Sequence, residues 1–421
     1  MSAVEGWTSV TVTQCCDILD SKRVPVNAED RDRRVGEIPY YGANGLQGYI
    51  DDFIFDEPLI LIAEDGGCFD EFATRPIAYR VKGKSWVNNH AHVLRAKEGF
   101  CQDAIFYTLE HKDIQPFIVG GTRAKLNQSA LRSIVVELPT SKSEQSKIAE
   151  ILSMVDLAIE QTESLIAKQQ RIKTGLMQDL LTRGIDEHGN LRSEQTHKFK
   201  DSPLGRIPVE WKVGGFDNYV VSDAGIKPGP FGSNLTKDMH VQLGYRVYGQ
   251  EQVIGGSLDL GDYYITGKKY AEMAALSVRA GDVLISLVGT IGHVLVVPER
   301  HHPGVINPRL LRFRPDPKRC IPEFLKALLL SQQLRLQLET FATGGTMSVL
   351  SAGIIRKLSI VIIGAAEQKK IIEVLGRSER CLLSHTERLH KLHSLKTALM
   401  QDLLTGKKRV TSLLNSTLST N

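Results

Sequence analysis

Leu176-Met177-Gln178-Asp179-Leu180-Leu181-Thr182 recurs letter for letter as Leu399-Met400-Gln401-Asp402-Leu403-Leu404-Thr405, 223 positions further on. The same offset aligns Glu144-Gln145 with Glu367-Gln368, Lys147 with Lys370, Ile148 with Ile371, Leu152 with Leu375 and Lys173-Thr174 with Lys396-Thr397. Solenoid repeats run to ~20–50 residues, so a period of this size is a whole unit made twice. Each unit ends in the same long element.

That element predicts a helix. From Ser143 to Thr182, the residues Ile148, Leu152, Val155, Ile159, Thr162, Ile166, Gln169, Leu176 and Leu180 follow steps of four and three, with one step of seven. No proline interrupts, and Gly175 is the only glycine. This is a heptad seam, with Ser143 as N-cap and Glu144 suited to the first turn. At ~1.5 Å per residue it makes a rod of roughly 58 Å, too long for an ordinary core helix. The second seam is cleaner: Ile371, Leu375, Ser378, Leu382, His385, Leu389, Leu392, Lys396, Leu399 and Leu403. One small domain cannot cover such a stripe. The expectation is that the two rods pack on each other as an antiparallel coiled coil, because the intervening chain must return. Polar seam residues (Thr162, Gln169, Ser378, His385, Lys396) would fix the register. The alternatives are a rod folded back on its own domain and a seam between two copies of the chain.

The rest falls around the rods. Residues 1–143 read as a mixed domain of short strands and turns, including the turn Pro39-Tyr40-Tyr41-Gly42-Ala43-Asn44-Gly45 and the buried strand Leu59–Ala63. Val87 to Leu94 reads as one half-buried strand, Asp103 to His111 as a short helix and Ile134 to Pro139 as a last strand. Residues 144–182 are the first rod and 183–203 a polar linker. Residues 204–366 form a second domain, 367–405 the second rod, and 406–421 a tail expected to be disordered. Within the second domain, Asp282 to Val297 reads as strand, turn, strand; Leu310 to Arg314 as a strand with Arg312 and Arg314 on its wet face; and Pro322 to Phe341 as one helix. Gly120-Gly121-Thr122 and Gly344-Gly345-Thr346 read as turns.

The totals fit a chain of several domains: 421 residues, 42% hydrophobic and 24% charged. A net charge of +4 is compatible with a polyanion partner without arguing for one. The six cysteines are scattered, none in a C-x-x-C pair, and read as free thiols of a reducing cytoplasm. No signal segment and no membrane-length apolar run are present, so a cytoplasmic protein without a membrane partner is expected.

Catalytic signatures are missing. Gly83-Lys84-Ser85 resembles the end of a P-loop, but Ala78 stands where its first glycine belongs. H-E-x-x-H and G-x-S-x-G are absent. Asn307-Pro308-Arg309 only begins like the Asn-Pro-Pro-Tyr/Phe of an aminomethyltransferase. Pro315-Asp316 could open a nuclease motif, but Glu323 and Lys326 lack the acid-x-Lys spacing. His90 and His92 resemble half a metal site without a third ligand, which favours a hydrogen-bonding role. Turn-rich stretches of Asn, Gln, Tyr, Arg and Gly instead suit base-edge and phosphate contact. The candidates are Tyr41, Asn44, Asn88, Asn89, His90 and Arg123 in the first unit. In the second they are Ser233, Asn234, Lys237, Gln250, Gln252, Thr290 and Arg309. Each also reads singly as an ordinary turn or core-satisfying polar residue.

Taken in order, these pieces resemble the specificity subunit of type I restriction–modification systems. The resemblance is carried by Gly6-Trp7 and Leu204-Gly205-Arg206-Ile207-Pro208-Val209-Glu210-Trp211 at the domain starts, and by residues 39–45. Lys227–Leu235, Tyr245–Glu251, Gly281–Ser286, Gly289–Gly292, the Gly-Gly-Thr turns, and the Glu-Gln openings and Leu-Leu-Thr ends of the rods complete it. It implies an α+β chain of two similar target recognition domains joined by two long helices with pseudo-two-fold symmetry. It implies no catalytic centre and no cofactor in this chain. The implied partners are double-stranded DNA, two methyltransferase subunits using S-adenosylmethionine, and restriction subunits using ATP and magnesium. Because the two domains differ in sequence, the two DNA half-sites should differ. In an antiparallel pair the repeated phrase falls near the opposite unit's domain, so Gln178, Asp179, Gln401 and Asp402 become candidates for docking two identical partners. The rival from another class is a coiled-coil scaffold without a DNA role.

Overall fold

The computed structural model describes residues 4–120, 124–222, 225–231, 234–287, 292–342 and 351–416. The chain divides into two compact units, Met1–Ser164 with Thr386–Asn421, and Leu165–His385. Each unit therefore combines one domain with one half of each rod.

The rods are helices Lys142–Thr182 and Ala365–Leu403, 41 and 39 residues long. Every seam position named above is buried or half-buried, while most flanking positions are exposed. The step of seven in the first seam is filled by half-buried Lys173. In the first unit, Glu144 of the first helix meets Arg409 and Asp156 meets Lys396. In the second, Gln169 meets Ser378, Lys173 meets Glu379, and the chain after the first helix returns to Glu367 through the Ile185 amide. In each unit the start of one rod lies by the end of the other, Glu144 beside Arg409 just past the second helix and Glu367 beside Ile185 just past the first, so the rods run antiparallel. The ion pair Asp156–Lys396 (2.9 Å) reappears 223 positions away as Lys173–Glu379 (3.2 Å) with the roles exchanged between helices.

The two domains share a topology that their letters conceal. In the first, β1 (Trp7–Thr11) pairs antiparallel with β12 (Val135–Pro139), the strand before the rod. An antiparallel sheet of β2 (Cys16–Ile18), β6 (Leu59–Ala63), β7 (Ala78–Val81) and β9 (Ala91–Ala96) has the order β2-β9-β6-β7. A second sheet of β3 (Ile38–Gly42), β4 (Gly45–Ile50), β5 (Phe55–Asp56) and β8 (Lys84–Val87) has the order β4-β3-β8-β5, with β3 and β8 parallel. A short ladder joins β10 (Ile118–Val119) to β11 (Lys125–Leu126).

The second domain opens with the ladder of β13 (Phe199–Lys200) and β14 (Ile207–Pro208) and then repeats this plan. Its first strand β15 (Lys212–Gly214) pairs with β23 (Ile360–Ile362) before the second rod. The strands β16 (Ile226–Pro228), β19 (Val283–Ser286), β20 (Val294–Val296) and β22 (Leu310–Phe313) take the order β16-β22-β19-β20. The strands β17 (Tyr245–Tyr248), β18 (Tyr264–Ile265) and β21 (Gly304–Ile306) take the order β18-β17-β21, with β17 and β21 parallel. Fully buried central strands, Leu-Ile-Leu-Ile-Ala in β6 and Val-Leu-Ile-Ser in β19, anchor the two cores.

Several expectations change. Val87 to Leu94 is not one strand: Asn88 turns the chain between β8 and β9, so His90 and His92 do not share a strand face. The helix expected over Pro322 to Phe341 is two, Pro322–Leu329 and Gln332–Ala342, because the Ser331 hydroxyl accepts from the Leu334 amide and starts a new helix. The first rod is capped by Ser141 rather than Ser143; its Oγ accepts from Glu144 N at 3.4 Å. The linker docks: Arg192 pairs with Glu367, and Ile185 is buried. The tail packs on the first domain through Val410, which is buried, and Arg409, whose Nε donates to Glu144 Oε1 at 2.6 Å. A short helix, Thr411–Ser416, follows. Arg312 is buried rather than wet, donating to the carbonyls of Ala275 and Ser277, and Arg314 forks onto both oxygens of Asp282 at 2.8 Å. Burial, reinforced by the charge of Arg314, pushes the Arg312 guanidinium down to about 10. The Gly-Gly-Thr turns at 121–122 and 344–346, and most of the Gly289–Gly292 turn, lie outside the described residues.

Candidate nucleic-acid interface

The same backbone frame occurs once in each domain, where the parallel strand pair ends. In the first, Tyr41 of β3 lies opposite Val87 of β8, and the Asn88 amide donates to the Tyr41 carbonyl at 3.0 Å. The Asn88 side chain then accepts from the His90 amide (2.8 Å), and the His90 carbonyl accepts from the Glu64 amide (2.8 Å). In the second, Tyr248 lies opposite Ile306, and the Asn307 amide donates to Tyr248 at 2.8 Å. Asn307 Oδ1 accepts from the Arg309 amide (2.9 Å), and the Arg309 carbonyl accepts from Leu287 (2.9 Å). Bond for bond, Asn88 corresponds to Asn307 and His90 to Arg309. A short Asx turn holds the residue two positions after each asparagine.

Glycines make room for both frames. A Cβ on Gly42, which follows Tyr41, would collide with the side chain of Gln47, the partner of Asn88. A Cβ on Gly249, which follows Tyr248, would lie 2.6 Å from Asn307 Nδ2, and one on Gly229 only 1.8 Å from the Asn307 carbonyl oxygen. The constraint is space, since neither Gly249 nor Gly229 has a left-handed backbone.

Around these frames the two domains present different chemistry. In the first, half-exposed His90 donates from Nδ1 to Asp65 (2.6 Å), and exposed Asn44 donates to the Gly66 carbonyl (2.9 Å). Asn89 is exposed at the turn, and Tyr41 packs half-buried beside the Tyr79 ring; burial raises the Tyr41 hydroxyl above its ordinary pKa. In the second, a groove of about 420 Å³ runs past the frame, lined among others by Lys237, His240, Gln250, Tyr263, Asn307 and Arg309. Lys237, Gln250 and Arg309, far apart in sequence, thus come together.

Other candidates take different parts. Asn88 is buried and belongs to the frame. Gln252 is fully buried: its Oε1 accepts from Gly249 N at 2.7 Å and its Nε2 donates to Leu260 O, so it braces the chain beneath the groove and faces no ligand. Exposed Asn234 lies outside the groove lining. Arg123, Ser233 and Thr290 lie outside the described residues. On the rods, Gln178 and Gln401 are exposed, while Asp179 faces Arg183 at 3.7 Å and Asp402 is held by Lys408 at 2.9 Å. Sequence reading missed His240, Tyr263, Asp65 and the role of Asn307. An Asn-x-basic triplet directly after an apolar strand, present in both halves, was the available signal.

Asp20, Glu64 and His92 bring ligand-type atoms within 4.8 Å of one another beneath the first frame. They do not fit a metal. Both ring nitrogens of His92 already face protein oxygens, Nδ1 at 2.6 Å from Asp20 and Nε2 at 2.7 Å from the Leu126 carbonyl. Arg23 lies on both carboxylates, at 2.7 Å from Glu64 and 3.6 Å from Asp20, where a cation would sit. Burial alone would raise the Asp20 carboxyl. The hydrogen bond and charge of His92, with donors from Val93 and Gln128, outweigh it and hold that group below its usual value. Glu64 is likewise held down by Arg23 and Lys125 against its own burial. The cluster is a rigid polar footing under the His90 turn.

Comparison with known proteins agrees with the fold and the duplication. A family profile, the type I restriction modification DNA specificity domain, matches twice, over residues 4–169 and 239–394. A putative type I restriction enzyme specificity subunit of Haemophilus influenzae is 26% identical over 89% of this chain and 88% of its own length. The type I restriction enzyme MjaVIII specificity subunit of Methanocaldococcus jannaschii is 25% identical over 97% and 94%. In fold the chain is similar to the crystal structure of a type I restriction–modification S subunit from M. genitalium, with a TM-score of 0.61 at 16% identity over 96% and 97% of the two chains. Among the described residues no helix is long and apolar enough to cross a membrane. The chain belongs to the type I restriction–modification specificity subunits, non-catalytic proteins with two DNA specificity domains whose chemistry is carried out by partner subunits.

Proposed function

We propose that each domain reads one half of a bipartite, non-palindromic DNA target through the face built on its Asn88 or Asn307 frame. The antiparallel rods set the unread gap and, through the repeated Leu-Met-Gln-Asp-Leu-Leu-Thr ends, dock two methyltransferase subunits. The observation that carries this reading is the pair of matching frames displaying unlike side chains, His90 with Asn44 against Arg309 with Gln250 and Lys237. One scaffold with two sets of side chains is the form that reading two different half-sites requires. A scaffold that only gathered proteins along its rods would have no use for a twinned frame. Restriction subunits using ATP and magnesium, and methyltransferases carrying S-adenosylmethionine, complete the complex in the cytoplasm. This chain contributes no cofactor.

Methylome sequencing of the host with and without the gene tests the reading. The expected result is loss of one methylated motif with two unlike halves and a fixed gap; retention of every motif would overturn it. Docking is tested by replacing Gln178 and Gln401 together and counting bound methyltransferase subunits. Unchanged stoichiometry and affinity would reduce the repeated phrase to spacer.

A further inference from the structure

We infer that Arg309 is the specificity-determining residue of the second domain and selects a guanine in its half-target, with Asn307 as its positioning residue. This rests on the proposal that the second domain reads DNA. The backbone of Arg309 is fixed at both ends, its amide by Asn307 Oδ1 and its carbonyl by Leu287 N. Pro308 before it sets its own φ and has no amide hydrogen to offer. Asn307 is confined in turn by the close approach of Gly229 and Gly249. The side chain itself is exposed and lines the groove. A phosphate contact asks little of its donor beyond charge, which exposed Lys237 in the same groove also offers. A backbone fixed on both sides sets where the side chain enters the groove, and its guanidinium is the planar fork that bidentate bonding to guanine O6 and N7 demands. The equivalent place in the first domain holds His90, itself fixed by Asp65. The position is thus built alike twice and filled differently, as a selecting position must be when the half-targets differ.

The test uses the full chain assembled with its methyltransferase partner and a set of duplexes. Each duplex changes one base pair of the half-target assigned to the second domain. Arg309→Ala and Arg309→Lys are both expected to lose discrimination at one G·C pair, by about tenfold to a hundredfold. Preference at every other pair and in the other half-target should hold. Lysine keeps the charge and loses the fork, so full selectivity in Arg309→Lys would overturn the inference. Uniform weakening at all sequences, up to complete loss, would make Arg309 a phosphate contact or a folding residue and also overturn it. A wild-type complex without any base preference would instead remove the DNA-reading proposal beneath it, whereas a selective wild type with unaltered variants removes only the role of Arg309.

Discussion

Asp20 keeps a charge inside the first domain because His92, Val93 and Gln128 all donate to it. Its folded carboxyl therefore titrates below the ordinary 3.8. A depressed carboxylate contributes stability that is fully present above the unfolded value and is lost as the pH falls through the folded one. Asp20→Asn should lower the midpoint of thermal unfolding at neutral pH, and the deficit should shrink as the pH falls below 3.8. A deficit that stays constant through the acid limb would show that the charge is not what matters. The sequence allowed a hydrogen-bonding reading of His92 but hid its partners, because Asp20 lies 72 positions away. The same distance effect misled the reading of Gln252 and of Arg312. Both are polar residues on short elements, and their burial depends on chain segments that periodicity cannot bring together. Asn307 was visible only as a failed motif, since an Asx turn needs the neighbouring strand ends to show its purpose.

The rods were the most legible elements, because a long heptad seam needs no distant information to be recognised. Even there a charged residue concealed a seam position. Lys173 and Lys396 occupy equivalent places, yet their surroundings differ. Lys396 is 14% exposed between Glu110 and Asp156, while Lys173 is 28% exposed beside Glu379, itself 51% exposed. Removing one partner of a buried ion pair costs about 3–5 kcal/mol, whereas an exposed pair contributes about 0–1 kcal/mol. Lys396→Ala should therefore destabilise the chain in urea by about 3 kcal/mol and Lys173→Ala by under about 1 kcal/mol; equal losses would contradict the difference in burial. Gly175 offers the opposite change. Nothing lies within 4 Å of where its Cβ would be, and the equivalent residue of the second rod is already Ala398. Gly175→Ala should stabilise by up to about 1 kcal/mol, the helix-propensity difference. A loss of stability would mean that this site needs its glycine for a partner.

At the scale of the molecule, the duplication has a consequence for the length of the target. If the rods separate two reading faces, their length in residues translates into unread base pairs. Seven residues keep the four-and-three seam in phase and lengthen a helix by about 10 Å, close to three base-pair steps of B-DNA at ~3.4 Å each. The insertion must be made in both rods, since lengthening one alone would break pairs such as Lys173–Glu379 and Asp156–Lys396. Added after Ser164 and after His385, where the two units meet in sequence, it leaves every domain contact described above in place. The expected methylome shows the same two half-targets with a gap about three base pairs longer. If instead the seven-residue variant methylates the original gap, the rods are not the ruler, and the spacing is set outside them.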